Sequence, residues 1–338
     1  MNQILSKAEY DALSRQDYFT FFVRSFHDLL GAGTFQYNWH LEVLAAKLQA
    51  VVDGKIKRLI INIPPRHLKS LMASIALPAF ILGRDPKASI ICVSYAQDLT
   101  DKFARDCRAL MQSAWYQSIF PTRLTQSRAA LQELITTQGG FRLGSSVGGV
   151  LTGRGADILI IDDPIKPSDA QSDARRNSAN DWYDGTLYSR LNSKTEGAII
   201  LIMQRLHEDD LTGHLLQQKG WELLCLPAIA EQDETFRMKN LFGRKTFTRK
   251  AGEALHEARE SLATLEQIRL SLGTYHFAAQ YQQTPAPTGG GLVKQNWFRT
   301  YAHDQLPVPF EQIIQSWDTA NTPTELSDYS VCTTWGLK

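Results

Sequence analysis

Short runs of apolar residues alternate with segments of helical spacing along most of this chain. Five runs are almost uniformly apolar, as strands covered on both faces must be, and they lie at 58–63, 89–94, 157–161, 197–203 and 222–226. Apolar residues recur at helical intervals over 1–50, 69–82 and 99–111. Strands that alternate with helices predict an α/β fold, in which a mostly parallel sheet is flanked by helices.

The character of the sequence changes after Pro227, where apolar strands give way to polar and basic sequence. Residues 237–250 contain several Lys and Arg residues and no acid. Each cation of such a segment could add a salt-dependent contact to a nucleic-acid phosphate. The alternative, which we favour, is a solvated loop.

The last third of the chain contains the clearest linker. A helix is predicted over 261–282, and the Pro- and Gly-rich stretch 284–291 then has the composition of a linker. Two strands are predicted beyond it, at 313–318 and 329–335. We therefore predict three parts, at 1–228, 229–291 and 292–338, the last of which ends before a domain could be completed.

Composition limits the classes of function. Lys and Arg number 36 and Asp and Glu 35 among 338 residues, so the chain is nearly neutral, and any nucleic-acid contact must be local. The four cysteines are scattered without a metal-binding spacing, which indicates a reducing compartment. No apolar stretch reaches the ~20 residues of a membrane span, so no membrane role is expected.

The first candidate site follows the strand at 58–63. A phosphate-binding loop presents backbone N–H groups at a helix N-terminus, a Lys for the β- and γ-phosphates and a hydroxyl for Mg²⁺. Lys69 and Ser70 are placed for the last two tasks, whereas Ile63 and Leu68 stand where the usual pattern has glycine. The alternative is a proline-rich turn with a solvent-exposed Lys.

The second candidate site is the strand that ends in Asp162 and Asp163. Such a strand delivers one acid to the Mg²⁺ shell, and the next acid can orient and deprotonate the attacking water. The alternative is a surface turn, because Asp-Asp-Pro is good turn chemistry. Together with the Lys-Ser loop, this strand predicts a nucleoside triphosphatase.

Several motifs in this order resemble the large terminase subunit of tailed bacteriophages. They are Trp39-His40, 58–70, 93–99, 152–164, 204–211 and 280–285. The resemblance implies a P-loop NTPase fold of the ASCE, RecA-like type, followed by a truncated segment similar to RNase H. It also implies an ATPase that pumps double-stranded DNA into a preformed capsid.

The resemblance assigns roles to residues of this chain. The phosphates of ATP would lie on the loop formed by Pro65, Arg66, His67, Leu68, Lys69 and Ser70. Ser70 and Asp162 would hold Mg²⁺, and Asp163 would be the catalytic base, a position where the family often has Glu. Gln36 would pair with the edge of adenine and Trp39 would stack on it, although core packing is an equal alternative for Trp39.

Further residues are candidates for catalysis and coupling. Arg66 could stabilise the charge on the γ-phosphate within the subunit, and Arg154 could do so from a neighbour in a ring. For each, the alternative is an ordinary salt bridge. Gln204 and Arg205 resemble the motif that senses phosphate loss.

The end of the chain resembles the first acidic motif of the nuclease domain, with Asp318 as a metal ligand and Asp328 nearby. Two-metal cleavage needs several carboxylates, so we expect no nuclease activity from this chain unless it continues beyond Lys338.

The function expected from this resemblance is an ATP-hydrolysing packaging motor. The expected partners are double-stranded DNA, a small terminase subunit, a portal ring and further copies of the chain in a ring, in the bacterial host cytoplasm at the procapsid portal. Two alternatives remain: a helicase-type, DNA-dependent NTPase, and a non-catalytic remnant of a prophage.

Overall fold

The computed structural model describes residues 5–31, 33, 35–125, 132–151, 153–286, 310–318 and 331–337. The chain forms two compact units, Met1–Gly289 and Gly290–Lys338. Among the described residues, no helix is both long and apolar enough to cross a bilayer.

The helices of the first unit cover both faces of its main sheet. They are α1 (Lys7–Gln16), α2 (Tyr18–Leu30), α3 (Trp39–Val52), α4 (Leu77–Arg84), α5 (Gln97–Gln112), α6 (Ala114–Ile119), α7 (Asp173–Trp182), α8 (Leu211–Leu216) and α9 (Leu262–Gln280). A π-helical turn, Leu71–Ala76, leads directly into α4. Gly273, with φ of 77°, interrupts α9.

The strands of this unit form a seven-stranded sheet and a separate hairpin. They are β1 (Arg58–Asn62), β2 (Ser89–Ser94), β3 (Glu133–Ile135), β4 (Phe141–Ser146), β5 (Ile158–Asp162), β6 (Ala198–Met203), β7 (Glu222–Cys225), β8 (Glu234–Asn240) and β9 (Gly243–Arg249). The sheet order is β3-β4-β2-β5-β6-β1-β7, and every pair is parallel except β3 with β4. The predicted α/β fold is therefore confirmed.

The register of the sheet places three strand ends together. In β1, Asn62 lies opposite Met203 of β6, and in β5, Asp162 lies opposite Ile202 of β6. Because β6 lies between β1 and β5, the segments that follow these three strands leave the sheet at the same edge. These segments carry Lys69, Gln204 and Asp163.

The continuous apolar runs arise because each central strand is buried on both faces. In β1, Leu59 and Ile61 belong to a core cluster that also contains residues of α2, α3, α4 and α5, whereas Ile60 belongs to a second cluster on the other face. Since successive side chains point to opposite faces, both faces must be apolar, and the polar and apolar alternation of a half-exposed strand is lost.

The prediction of a solvated loop over 237–250 is wrong, because this segment lies mainly in the antiparallel hairpin β8–β9. Phe236 and Met238 alternate with Arg237 and Lys239, so the apolar side chains of β8 lie on one face of the hairpin and these two cations on the other. The apolar face packs on α3, where Trp39 stacks on Phe236 with ring centroids 5.0 Å apart. Burial of this face stabilises an extended ribbon where composition favoured a loop.

The second unit contains two strands, β10 (Gln312–Asp318) and β11 (Val331–Leu337), which pair in antiparallel fashion. Two strands were predicted in this part of the chain, and both are present. Asp328 and most of the predicted linker lie outside the described residues. The division of the chain at 228 and 291, and the likeness of the last segment to a nuclease, stay predictions.

Candidate active site

The loop after β1 contains two residues other than glycine with a left-handed backbone. Arg66 and Leu68 have φ of 66° and 61°, in the left-handed region that costs a non-glycine residue about 1–2 kcal/mol. Leu68 stands at the second glycine position of the usual pattern and takes the conformation that glycine adopts easily. The glycine of the usual pattern is thus absent from the sequence, although Leu68 adopts a left-handed backbone at that position.

Lys69, Asp163 and Gln204 meet at the shared edge of the sheet. The buried Nζ of Lys69 lies 2.8 Å from Oδ2 of Asp163 and 3.3 Å from Oε1 of Gln204. These residues follow β1, β5 and β6, so the strand order explains why they converge. The structure therefore brings together three of the residues predicted from separate motifs.

The backbone of Asp163 is strained and held from several sides. Its φ is 46°, a rare value for a residue other than glycine. Its N–H donates to the carbonyl of Ile202, its carbonyl accepts from the N–H of Tyr95, and its Oδ1 accepts from the N–H of Gln204 at 3.2 Å. These contacts fix the direction of the carboxylate toward Lys69.

Asp162 is buried below this group and has the properties of a cation ligand. Burial, together with the charge of Asp163, raises the pKa of Asp162 to about 7, although Lys69 and hydrogen bonds from Ser74 and Ser70 act in the opposite direction. Its Oδ2 accepts from Ser74 Oγ at 2.7 Å, whereas its Oδ1 has no hydrogen-bond partner among the described residues. A buried carboxylate with a free oxygen beside a serine hydroxyl fits Mg²⁺, which prefers oxygen ligands.

Two residues that support Asp162 were not predicted. Ser74 follows Ser70 by four residues, so helical spacing could have shown that both hydroxyls lie on one face. Arg142 is fully buried in β4, and its Nη2 donates to the carbonyl of Ser74 at 3.3 Å. This contact places a buried positive charge behind the serine that binds Asp162.

A small cavity borders the loop after β1. Its lining includes predicted residues of the loop and of the adenine site, together with unpredicted His and Arg residues: Gln36, His40, Arg66, His67, Leu68, His256 and Arg259. Burial lowers the pKa of His67 to about 4, and burial also lowers those of His40 and His256. These three histidines are therefore neutral at pH 7.

Trp39 does not face this cavity. Its ring stacks on Phe236 at 5.0 Å and on Phe247 at 6.1 Å, so aromatic residues of the hairpin lie against this ring. Of the two predicted roles, the contacts of Trp39 favour core packing. These two stacking partners could not be predicted from the place of Trp39 in the sequence.

We expect Trp39→Ala to destabilise the protein by about 3 kcal/mol and to leave ATP affinity nearly unchanged, because the substitution removes stacking on the hairpin. Urea unfolding and titration with a fluorescent ATP analogue measure the two effects. If the variant had nearly normal stability but a large loss of ATP affinity, the result would show that Trp39 contacts adenine.

Arg205 and Arg154 are both engaged elsewhere. Arg205 Nε lies 2.9 Å from both carboxylate oxygens of Asp210, which caps α8. Arg154 forms an ion pair of 2.8 Å with Glu133 and lies over the ring of Phe141. The structure does not bring either guanidinium to Lys69, and their catalytic roles stay predictions.

Pro65 and Asp318 are the two remaining residues predicted for the site. The carbonyl of Pro65 lies 2.9 Å from Nδ1 of His67, and this contact helps to shape the loop. Asp318 ends β10 in the second compact unit, and its side chain lies outside the described part of the structure. Its role as a metal ligand stays a prediction.

Comparisons with known proteins give a family match. A family model described as the terminase large subunit, T4likevirus-type, N-terminal, matches residues 60–300, more than half of the chain. No curated protein matches the sequence.

Among solved structures, the chain is similar to the large terminase ATPase domain of Thermus phage P74-26, with 13% identity and a TM-score of 0.46, over 76% of this chain and 95% of that one. It is also similar to the bacteriophage HK97 large terminase, with 12% identity and a TM-score of 0.40, over 61% of this chain and 44% of that one. A third similar structure is the large terminase of a thermophilic bacteriophage in complex with ADP, with 11% identity and a TM-score of 0.41, over 86% of this chain and 64% of that one.

Proposed function

Because this chain belongs to the family of terminase large subunits, we propose that it is the ATP-hydrolysing motor of a phage DNA-packaging complex, with its reaction centre at Lys69, Asp162 and Asp163. The observation that carries this proposal is the 2.8 Å contact between Lys69 and Asp163, which follow β1 and β5 on either side of β6. Lys69, which would bind the phosphate, and Asp163, which would accept the proton of the attacking water, would thereby both lie close to the γ-phosphate.

The substrate, ATP, would lie with its phosphates over the N–H groups that begin at Arg66, since Pro64 and Pro65 have no N–H to donate. When ATP binds, the amine of Lys69 would leave Asp163 and contact the phosphate oxygens. The released carboxylate of Asp163 then accepts a proton from the water that attacks the γ-phosphate. The amide of Gln204, which contacts Lys69, is placed to respond when the phosphate leaves.

Mg²⁺ would be held by Ser70 and Asp162 and would neutralise charge on the phosphates. Ser74 positions Asp162 for this task through its 2.7 Å hydrogen bond. The raised pKa of Asp162 favours a cation there, because a positive charge offsets the cost of a buried negative one.

The partners of this motor would be linear duplex DNA, a small terminase subunit, a portal ring and other copies of the chain in a ring. Its place of action would be the host cytoplasm at the portal of the procapsid. Gln36, at the cavity beside the loop, would contact the adenine edge.

Phosphate release from ATP, measured with and without linear duplex DNA, tests the proposal. We expect Mg²⁺-dependent hydrolysis that DNA accelerates. Strand separation by the same preparation would instead support a helicase. Failure of nucleotide to raise the melting temperature, together with absent hydrolysis, would support a non-catalytic remnant, since a ligand that binds only the native state must stabilise it.

Arg66 gives a sharper prediction, because it is exposed in the loop and has a left-handed backbone. We expect Arg66→Gly and Arg66→Ala both to lower ATP turnover by about 10³-fold, as for loss of an arginine that stabilises the transferred phosphate. The Gly variant should be more stable than the Ala variant by about 1 kcal/mol, because glycine adopts this φ without strain.

Arg154→Ala is the matched control for this prediction. We expect it to retain turnover in the isolated subunit, since Arg154 is paired with Glu133. Full turnover by Arg66→Gly would contradict the assignment of Arg66. Arg154→Ala could instead lose turnover and regain it when mixed with Lys69→Ala, which still carries Arg154. This result would show that Arg154 acts on the site of a neighbouring subunit.

A further inference from the structure

The outward face of the hairpin β8–β9 is entirely basic or hydroxylic. All of its side chains are exposed and none is acidic; they are Thr235, Arg237, Lys239, Arg244, Thr246 and Thr248. We call these six residues the ribbon face. The opposite face, with Phe236 and Phe247, packs on Trp39.

The cations of the ribbon face differ from the other cations of the hairpin. Lys245, Arg249 and Lys250 form ion pairs with Glu42, Glu234 and Asp233. Within the described part of the chain, Arg237, Lys239 and Arg244 form no ion pair. The acids that pair with the other cations of the hairpin thus form no ion pair with the ribbon face. Arg237 and Lys239 line a cavity that also contains the acids Asp17, Glu42 and Asp53.

The arrangement of these cations also opposes folding. Lys239 and Arg244 are direct cross-strand partners, and like charges at such positions destabilise a ribbon. A neutral or acidic residue at either position would relieve the repulsion. An anionic partner on this face would turn the same repulsion into attraction.

The chemistry of the face fits a phosphate backbone. Arg, Lys and Thr side chains are donors to phosphate oxygens, and a two-stranded ribbon fits the major groove of a duplex. Residues two apart on a strand are about 6.8 Å apart, and Arg244 lies across the ribbon from Lys239, so the three cations are spread along and across the ribbon. An extended polyanion matches such a spread of charge better than a small anion does.

We propose that the ribbon face binds the phosphate backbone of duplex DNA. This inference rests on the proposed function and supplies that motor with a DNA contact. The ribbon is connected to the nucleotide site through α3, because Trp39 packs on the hairpin while the neighbouring His40 lies 5.4 Å, between ring centroids, from His67 of the phosphate loop.

The test uses a triple variant, Arg237→Gln, Lys239→Gln and Arg244→Gln. Its matched control is Arg105→Gln, Arg175→Gln and Lys219→Gln, which removes the same number of exposed cations of the same types from α5, α7 and the segment after α8. Duplex affinity is measured for the full chain without nucleotide over a series of salt concentrations. Thermal melting verifies that all three proteins are folded.

We expect the slope of log affinity against log salt to become shallower by about 2–3 in the ribbon variant, at about 0.9 for each lost phosphate contact, and to stay unchanged in the control. Basal ATP turnover should stay normal in the ribbon variant, while its stimulation by DNA should be lost. Equal slopes in the two variants would overturn the proposal. Basal turnover is measured separately, so equal slopes would not affect the ATPase assignment. If none of the three proteins hydrolysed ATP, the proposed function itself would be wrong.

Discussion

Replacement of Lys69 by alanine is expected to lower ATP turnover by about 10³-fold, the scale of losing one well-placed donor to a developing charge. The Lys69 amine is buried, and it lies 2.8 Å from Asp163 and 3.3 Å from Gln204. No other Lys belongs to this cluster within the described residues. The substitution also leaves the carboxylates of Asp162 and Asp163 without their shared cation.

Lys57→Ala is the matched control, because Lys57 precedes the same strand at its opposite end and pairs with the exposed Glu196. An exposed pair of this kind contributes little to stability, and we expect normal turnover. Initial rates of phosphate release over a range of ATP concentrations separate the loss of turnover from weaker binding. If Lys69→Ala and Lys57→Ala had equal rates, the site would have to lie elsewhere.

Asp162→Asn is expected to abolish Mg²⁺-dependent ATP hydrolysis and, at the same time, to stabilise the nucleotide-free protein at pH 8 by about 2–4 kcal/mol. The pKa of the folded carboxyl is about 7, above the ordinary value of 3.8. Between pH 3.8 and about 7 the carboxyl therefore stays protonated in the folded state while the unfolded state releases its proton, and at pH 8 the folded protein carries a buried negative charge. Its contribution to stability is present at low pH and is lost as pH rises from about 3.8 to about 7.

Urea unfolding at pH 5 and pH 8 measures this effect as a difference between variant and wild type. The stabilisation should be much smaller at pH 5, where Asp162 is largely protonated in the folded protein. Asp157→Asn is the control, because Asp157 lies just before the same strand and is exposed. A destabilised Asp162→Asn protein at pH 8 would show that the charge of Asp162 is needed for the fold.

The central sheet was predictable because burial on both faces leaves a simple mark on the sequence. Ile60 and Ile61 of β1 point to opposite core clusters, so apolar residues are required at successive positions. The convergence of Lys69 and Asp163 was predictable for a related reason, since a strand that ends in acids and a strand that ends in a Lys-Ser loop share an edge in a parallel sheet.

Other features depend on contacts between residues far apart in the chain. The aromatic partners of Trp39, Phe236 and Phe247, lie about two hundred positions away, and no local pattern distinguishes stacking on them from stacking on a base. The hairpin that contains them alternates in polarity, but its high charge suggested a solvated loop. At Leu68, a search for the glycine motif misses the left-handed backbone. Leucine adopts this conformation here, although it costs more free energy than it would for glycine.

The most direct test of the account is a structure of this chain with Mg²⁺ and a non-hydrolysable ATP analogue. We predict that Lys69 Nζ leaves Asp163 and contacts the terminal phosphate, and that Asp162 and Ser70 lie at the metal. A nucleotide bound away from the loop at 65–70, with the ion pair of Lys69 and Asp163 intact, would contradict the central claim.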